Sequence, residues 1–265
     1  MILLTGPCVI ENRDNVMKIA EKLVKLNEDS RIDFHFKASF DKANRTSLDS
    51  FRGPGLDEGL KILQEVKEQF GMKLVTDVHE SYQVAPTAEV VDVVQIPAFL
   101  CRQTDLLVAA GETTAKVNIK KGQFLAANSM KHPVEKVLRT RGAKETNYEN
   151  SKQKGVWLCE RGNVFGYGAL VVDMKNLIAM KEFAPVIFDA THSAQVPSTG
   201  ETTGGNSAIV PSLAKAAAAV GVDGFFFETH FDPNVALSDG PNMLQIDDLY
   251  KTIDDIFKIQ EVLAY

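Results

Sequence analysis

The chain is punctuated by short apolar runs bounded by turn or helix signals: Ile2–Thr5, Asp33–Ala38, Lys73–Val78, Val91–Ile96, Ala115–Ile119, Val156–Cys159, Val186–Asp189 and Gly224–Phe227. They are mostly continuous rather than alternating, the pattern of strands buried on both faces of a parallel sheet. Between them apolar residues recur at i, i+3 and i+4: Val16, Ile19, Leu23 and Val24; Leu60, Leu63, Val66 and Phe70; Leu177, Met180 and Phe183. The Ala-rich Ile209–Val220 and the final Ile246–Leu263, with Leu249, Ile253, Ile256 and Phe257 on one face, follow the same rule. Eight strand-then-helix units in 265 residues is about 33 residues per unit, near the roughly 250 residues of a (β/α)8 barrel. The pattern predicts an α/β fold, a single-domain (β/α)8 TIM barrel over residues 1–265, with no linker dividing it. An open doubly wound sheet would favour G-x-G-x-x-G after the first strand, which is lacking here. Two loops rich in turn formers, Val196–Ser207 and Phe231–Met243, follow strands seven and eight and are expected on the catalytic face as lids. The polar stretch Gly142–Gly155 precedes strand six and is expected on the opposite face, without chemistry.

Composition narrows the function. There are 29 Lys+Arg against 35 Asp+Glu, a net charge of −6, and the pI is near 5.5. That balance disfavours a nucleic-acid binder that relies on overall positive charge. A hydrophobic content of 45% argues against disorder. No apolar run approaches the roughly 18 residues of a membrane span, and MILLTGPCVIEN has no basic segment before its apolar stretch. The expectation is a soluble, cytoplasmic protein with no membrane partner. Cys8, Cys101 and Cys159 are far apart and form no C-x-x-C, which argues against a disulfide framework.

A barrel presents the C-terminal ends of its strands to one pocket. Those ends carry Cys8, Lys37, Asp77, Gln95, Lys120, Arg161, His192 and Glu228, all polar or ionisable. A single Lys or Arg at a strand end is usually a solvated cap; eight such ends together are harder to dismiss. Lys37, Lys120 and Arg161, with Lys42, Arg45, Arg102 and Lys121 in nearby loops, aim many cations at one face of an acidic protein. A small molecule with more than one anionic group is the expected ligand. Cys8, His192, Glu228 and Asp239 come from strands one, seven and eight, neighbours in a closed barrel, and could converge on a divalent metal. Spacing alone supports that weakly, because a lone strand-end Cys is more often a small buried hydrophobe.

The stretches KASFDKANRTS (Lys37–Ser47), RGPG (Arg52–Gly55), TDVHE (Thr76–Glu80), QIPAFLCRQTD (Gln95–Asp105), NIKKGQF (Asn118–Phe124), CERG (Cys159–Gly162), FDATHS (Phe188–Ser193), ETH (Glu228–His230) and LSDGPNM (Leu237–Met243) closely resemble 3-deoxy-D-manno-octulosonate 8-phosphate synthases, in order and over nearly the whole chain. The family condenses phosphoenolpyruvate with D-arabinose 5-phosphate and water, releasing phosphate, to make a precursor of Gram-negative lipopolysaccharide. The resemblance implies that Lys37, Lys42, Lys120 and Arg161 hold phosphoenolpyruvate, with Gln95, Arg102 and Gln123 near it. It implies that Asn44 and Asp77 contact the aldose hydroxyls, and that Arg45 and Thr46 bind the aldose phosphate, reaching into a neighbouring subunit's site of a homotetramer. Lys42, Asp77 and His192 are the expected catalytic residues. Family members with Cys in the GPCVIE position use a metal and those with Asn do not. Cys8, with His192, Glu228 and Asp239, therefore resembles the metal-dependent type, with Zn²⁺, Fe²⁺, Mn²⁺ or Co²⁺ as the cofactor. Only Met1 precedes the first strand, so the N-terminal hairpin that often closes the barrel bottom in this family is expected to be absent or reduced.

Three rivals make distinct demands. The sibling synthase of aromatic amino-acid biosynthesis, which uses erythrose 4-phosphate, typically has KPRT where this chain has KANRT. A Schiff-base aldolase acting through Lys120 would need a lysine in a mostly apolar setting. A non-catalytic phosphosugar-binding barrel would have no use for the Cys, His, Glu and Asp set.

Overall fold

The computed structural model describes residues 1–45, 47–165, 168–196 and 204–263. Eight parallel strands occur where the apolar runs predict them: β1 (Ile2–Gly6), β2 (Asp33–Lys37), β3 (Lys73–Asp77), β4 (Val93–Ile96), β5 (Lys116–Lys120), β6 (Val156–Glu160), β7 (Val186–Asp189) and β8 (Gly224–His230). They pair in chain order, and β8 closes onto β1 in a register running from Ile2 opposite Gly224 to Gly6 opposite Glu228. The sheet is therefore a closed barrel, matching the (β/α)8 expectation. Helices α1 (Arg13–Glu28), α2 (Leu56–Phe70), α3 (Ser81–Val90), α4 (Thr104–Glu112), α5 (Lys131–Thr140), α6 (Met174–Met180), α7 (Val210–Val220) and α8 (Ile246–Leu263) follow the strands. No helix among the described residues is long and apolar enough to cross a membrane.

The continuous apolar runs have two different faces. On β8, Phe225 and Phe227 belong to the layer that packs under the helices, whereas Phe226 joins Leu4, Val75, Val93, Trp157, Cys159 and Ile187 inside the barrel. On β2, Phe34 and Phe36 likewise belong to the outer layer. The period of two then assigns His35 and Lys37 to the interior. The interior is thus apolar at mid-height and polar above, and the upper layer becomes the site. Gly6 makes the last step of β1 possible, because a Cβ there would strike the backbone carbonyl of Lys37.

Helix α1 starts where the Asn12 side chain accepts from the Asn15 amide at 2.8 Å, and it buries Val16, Ile19, Leu23 and Leu26. Helix α2 ends at Gly71, whose φ of 65° suits glycine. The Gly142–Gly155 stretch contains a short helix, Tyr148–Lys154. Tyr148 donates to Asp223 just before β8 at 2.7 Å, which puts this stretch at the N-terminal end of the barrel as predicted.

Arg141 ties that end together. Its guanidinium donates to the carbonyls of Gly111 (3.2 Å), Ala110 (3.2 Å), Thr113 (3.1 Å) and Ala115 (2.6 Å), and also to Lys154. Replacing it leaves these carbonyls without their charged donor, so Arg141→Met should cost about 3 kcal/mol. A urea midpoint lowered accordingly at unchanged slope is the expected result, and an unshifted midpoint would remove the clamp from the account.

Candidate active site

The strand ends open into one cleft of about 440 Å³. Lys37, Asp77, Gln95, Lys120, Arg161 and His192 line it from the strands, and Lys42, Asn44, Arg45, Gln123 and Asp239 line it from the loops. Cys8 and Glu228 are completely buried at its floor. Almost every residue picked out from sequence therefore converges on one place.

Charge is densest on the β1, β2 and β8 side. Lys37 Nζ donates to the Cys8 carbonyl at 2.9 Å and to Ser39 Oγ at 2.8 Å, and it pairs with Glu228 Oε1 at 3.3 Å. Burial and neighbouring Lys42 push the Lys37 ammonium below its ordinary value, against Glu228 and Asp77. Lys42 Nζ lies 3.7 Å from Glu228 Oε1. Burial would lower its pKa, but Cys8, Glu228, Asp77 and Asp239 outweigh it and hold the amine well above its ordinary value. Asp77 accepts from Ser39 Oγ and lies 3.2 Å from His79 Nε2. Burial would raise the Asp77 carboxyl, yet Lys37, His79 and Lys42 keep it well below the usual range.

Three of the four proposed metal ligands gather, and His192 stands beside two of them. Donor atoms of Cys8, Glu228 and Asp239 all lie within 4.8 Å of one another. His192 Nε2 is 3.6 Å from Glu228 Oε1 and 3.9 Å from Asp239 Oδ2. Cys8 Sγ lies 3.2 Å from Asp239 Oδ2 and 3.1 Å from Ser238 Oγ. Burial and Glu228 push the Cys8 thiol well above its ordinary value. Burial also opposes ionisation of Glu228, but His192, Lys42 and Lys37 lower it to about 2. Among the described residues, Glu228 Oε2 is buried without a hydrogen-bond partner. A thiol, an imidazole and two carboxylates crowded together, with one carboxylate oxygen unpartnered, suit a divalent cation. Asp239 has a φ of 50°, the one non-glycine in the left-handed region among the described residues. Backbone strain of that kind concentrates at functional sites.

Several placements differ from the sequence reading. Arg102 is exposed and does not line its own chain's cleft; its carbonyl accepts from Lys136 at 3.0 Å. Lys121 is completely buried against Glu160 at 3.3 Å and is not a cation of the cleft. Arg45, expected in a neighbour's site, lines its own chain's cleft, donating to Ser238 Oγ at 2.9 Å and the Leu237 carbonyl at 3.2 Å. Thr46 lies outside the described residues, as do 197–203 of the first predicted lid; the second contributes Ala236 to Pro241 to the cleft wall.

Other residues went unnoticed in the sequence. His79 stands two positions beyond the β3 end, on the same side as Asp77, and lines the cleft; the period of two could have flagged it. Gln195 bridges the halves, accepting from Arg161 Nη2 at 2.5 Å and donating to Asp239 Oδ1 at 3.4 Å. No local pattern marks Gln195. The short hairpin that pairs Asn163–Val164 with Leu170–Val171 was also unforeseen.

Comparison with known proteins identifies the family. The profile of the DAHP synthetase I family matches residues 1–262. A 2-dehydro-3-deoxyphosphooctonate aldolase of Campylobacter jejuni is 61% identical over 264 residues, covering 99% of this chain and 97% of that protein. Proteins of the same name from Helicobacter hepaticus and Wolinella succinogenes are each 58% identical, covering 100% and 99% of this chain and 98% and 100% of their own lengths. At that identity over nearly its full length, the chain belongs to the DAHP synthetase I family and, within it, to the 2-dehydro-3-deoxyphosphooctonate aldolases.

Proposed function

We propose that this chain condenses phosphoenolpyruvate with D-arabinose 5-phosphate and water to give 3-deoxy-D-manno-octulosonate 8-phosphate and phosphate, a step of lipopolysaccharide precursor synthesis. The observation that carries this reading is one cleft in which Lys37, Lys42, Lys120 and Arg161 face the Cys8, His192, Glu228 and Asp239 cluster. In it, Lys120 and Arg161 hold the anionic groups of phosphoenolpyruvate, with Lys37, Gln95 and Gln123 beside them. Asn44 and Asp77 take the aldose hydroxyls, and Arg45, with Thr46, its phosphate.

The enol carbon must attack the aldehyde carbon, forming the new C–C bond while negative charge grows on the aldehyde oxygen. C2 becomes cation-like and takes up water, and phosphate leaves. Lys42, kept protonated by its acidic neighbours, supplies the charge and the proton for the developing alkoxide. Asp77, kept ionised, accepts from an aldose hydroxyl and fixes its position. Cys8, His192, Glu228 and Asp239 would hold a divalent ion of the Zn²⁺, Fe²⁺, Mn²⁺ or Co²⁺ class, which supplies Lewis-acid polarisation and orientation of a bound oxygen.

A Schiff-base route is disfavoured, because Lys120 Nζ pairs with Asp189 Oδ2 at 2.5 Å and is an ion-paired ammonium, not a free amine in an apolar pocket. Assembly as a homotetramer with shared sites, in the cytoplasm, belongs to the same reading. Phe99, which lines the cleft, and Phe124 are both exposed, apolar surface that a neighbour would cover. Arg102, in the same chain segment as Phe99 and outside its own cleft, is the cation available to such a neighbour.

Phosphate release from phosphoenolpyruvate, measured with and without arabinose 5-phosphate, tests the reaction directly. Release should require the aldose. Asn44 and Arg45 in the cleft wall also predict acceptor choice. Each partner that a shorter sugar leaves unpaired costs about 1–3 kcal/mol, so arabinose 5-phosphate should exceed erythrose 4-phosphate in kcat/KM by at least about tenfold. Equal efficiency with both sugars would sink the assignment.

A further inference from the structure

Asp189 ends β7, is completely buried, and has no part in the chemistry described so far. Its carboxylate serves three donors. Oδ1 accepts from the His192 backbone N–H at 2.9 Å, closing the single turn Ala190–Ser193. Oδ2 accepts from Lys120 Nζ at 2.5 Å and lies 2.8 Å from His192 Nδ1. Lys120 Nζ also stands 3.2 Å from Nδ1, but a bare Nδ1 would set its lone pair against the closer carboxylate oxygen at 2.8 Å, so Nδ1 carries the proton and the carboxylate accepts it. In the neutral ring the lone pair is then left on Nε2, the nitrogen that faces Glu228 and Asp239.

We propose that Asp189 is a positioning residue that couples the two halves of the cleft: one carboxylate sets the His192 tautomer for a divalent cation and, through the same oxygen, restrains Lys120 beside the anion subsite. The anion half rests on the phosphoenolpyruvate reading above; the tautomer half does not. An amide in place of the carboxylate cannot serve all three donors. In Asp189→Asn the amide oxygen stays with the His192 backbone N–H, the amide nitrogen takes the place of Oδ2 and turns its N–H to the ring, and the ring proton moves to Nε2, where it blocks a metal.

Asp189→Asn, with folding checked by circular dichroism, should move three readouts differently. In the metal-free protein, the ¹⁵N shifts of His192 should change from the Nδ1–H to the Nε2–H pattern, with the resonance identified by its loss in His192→Gln. Affinity for Zn²⁺ or Mn²⁺ alone, by competition with a chelating dye, should fall about 10–100-fold, as when the orienting partner of a ligand histidine is lost. Affinity for phosphoenolpyruvate should hold or rise a few-fold, because Lys120 no longer shares its charge with a competing anion.

Lys120→Met is the reciprocal variant and guards against misfolding of the first. It should weaken phosphoenolpyruvate binding and leave the cation affinity at or above that of the wild type. An unchanged His192 tautomer in Asp189→Asn would overturn the proposal, as would a parallel loss of cation and phosphoenolpyruvate binding. Wild-type protein that fails to bind phosphoenolpyruvate would instead overturn the functional reading, while the tautomer measurement would still decide the role of Asp189.

Discussion

Wild-type protein stripped of divalent ions by a chelator, and verified metal-free by elemental analysis, should not turn over, and Mn²⁺, Co²⁺, Fe²⁺ or Zn²⁺ should restore it. The basis is the Cys8, Glu228 and Asp239 cluster, whose donor atoms lie within 4.8 Å of one another, with His192 Nε2 completing the set. Restoration should not simply follow the affinity series, because geometry and ligand exchange also set the rate. Cys8→Ala removes the sulfur ligand from a strand-end position. It should lose most bound metal and most activity, whereas unfolding should cost only about 1 kcal/mol, the scale of a small buried truncation. Cys8→Asn is sharper, since it installs the residue that the resemblance assigns to the metal-free type. An amide there still has Ser238 Oγ and Asp239 within reach of the Cys8 position. Metal affinity should fall, and a little metal-independent turnover should appear. Normal turnover by verified metal-free wild type would end the metal reading.

The barrel was legible because strands buried on both faces leave unbroken apolar runs, and because each run has a polar residue at or near its C-terminal end. That second feature also located the cleft: Asp77, Gln95 and Glu228 are the points at which the inward faces of three strands change from apolar to polar, and Lys37 and Lys120 end inward faces already polar at His35 and Asn118. What sequence obscured is mostly a matter of register. Lys120 and Lys121 are adjacent, so the period of two sends only one of them inward; Asn118 and Lys120 share the inner face, and Lys121 is buried instead beside Glu160. Arg102 and Arg45 show a different limit. Both lie in loops, where no periodicity fixes direction; Arg45 lines the cleft and Arg102 does not. Asp189 and Gln195 escaped because each acts on other side chains, a relation set only when distant segments meet.

Lys42→Met should lower kcat/KM by about a thousandfold and yet hold a divalent ion at least as tightly as the wild type. Met matches the length of the lysine stem and is unbranched, so packing changes little. The charge is what disappears. Lys42 Nζ stands 3.7 Å from Glu228 Oε1, close to the cation cluster, and among the described residues it makes no side-chain hydrogen bond that would occupy its protons. In the forward reaction it is the ammonium available to the aldehyde oxygen as negative charge grows there. Removing one donor to a developing oxyanion costs about 10²–10³ in rate, and losing a proton donor costs about 10²–10⁴; the two effects overlap in one group and do not add. In the resting site the same charge works against a bound cation, because both compete for Glu228 and Asp239. Its removal should therefore favour metal retention while it cripples turnover. Lys42→Arg keeps the charge but spreads it over a planar group, and should recover only part of the loss. Turnover of Lys42→Met within tenfold of wild type would exclude Lys42 from the chemistry, and loss of metal together with activity would reassign it to holding the site together.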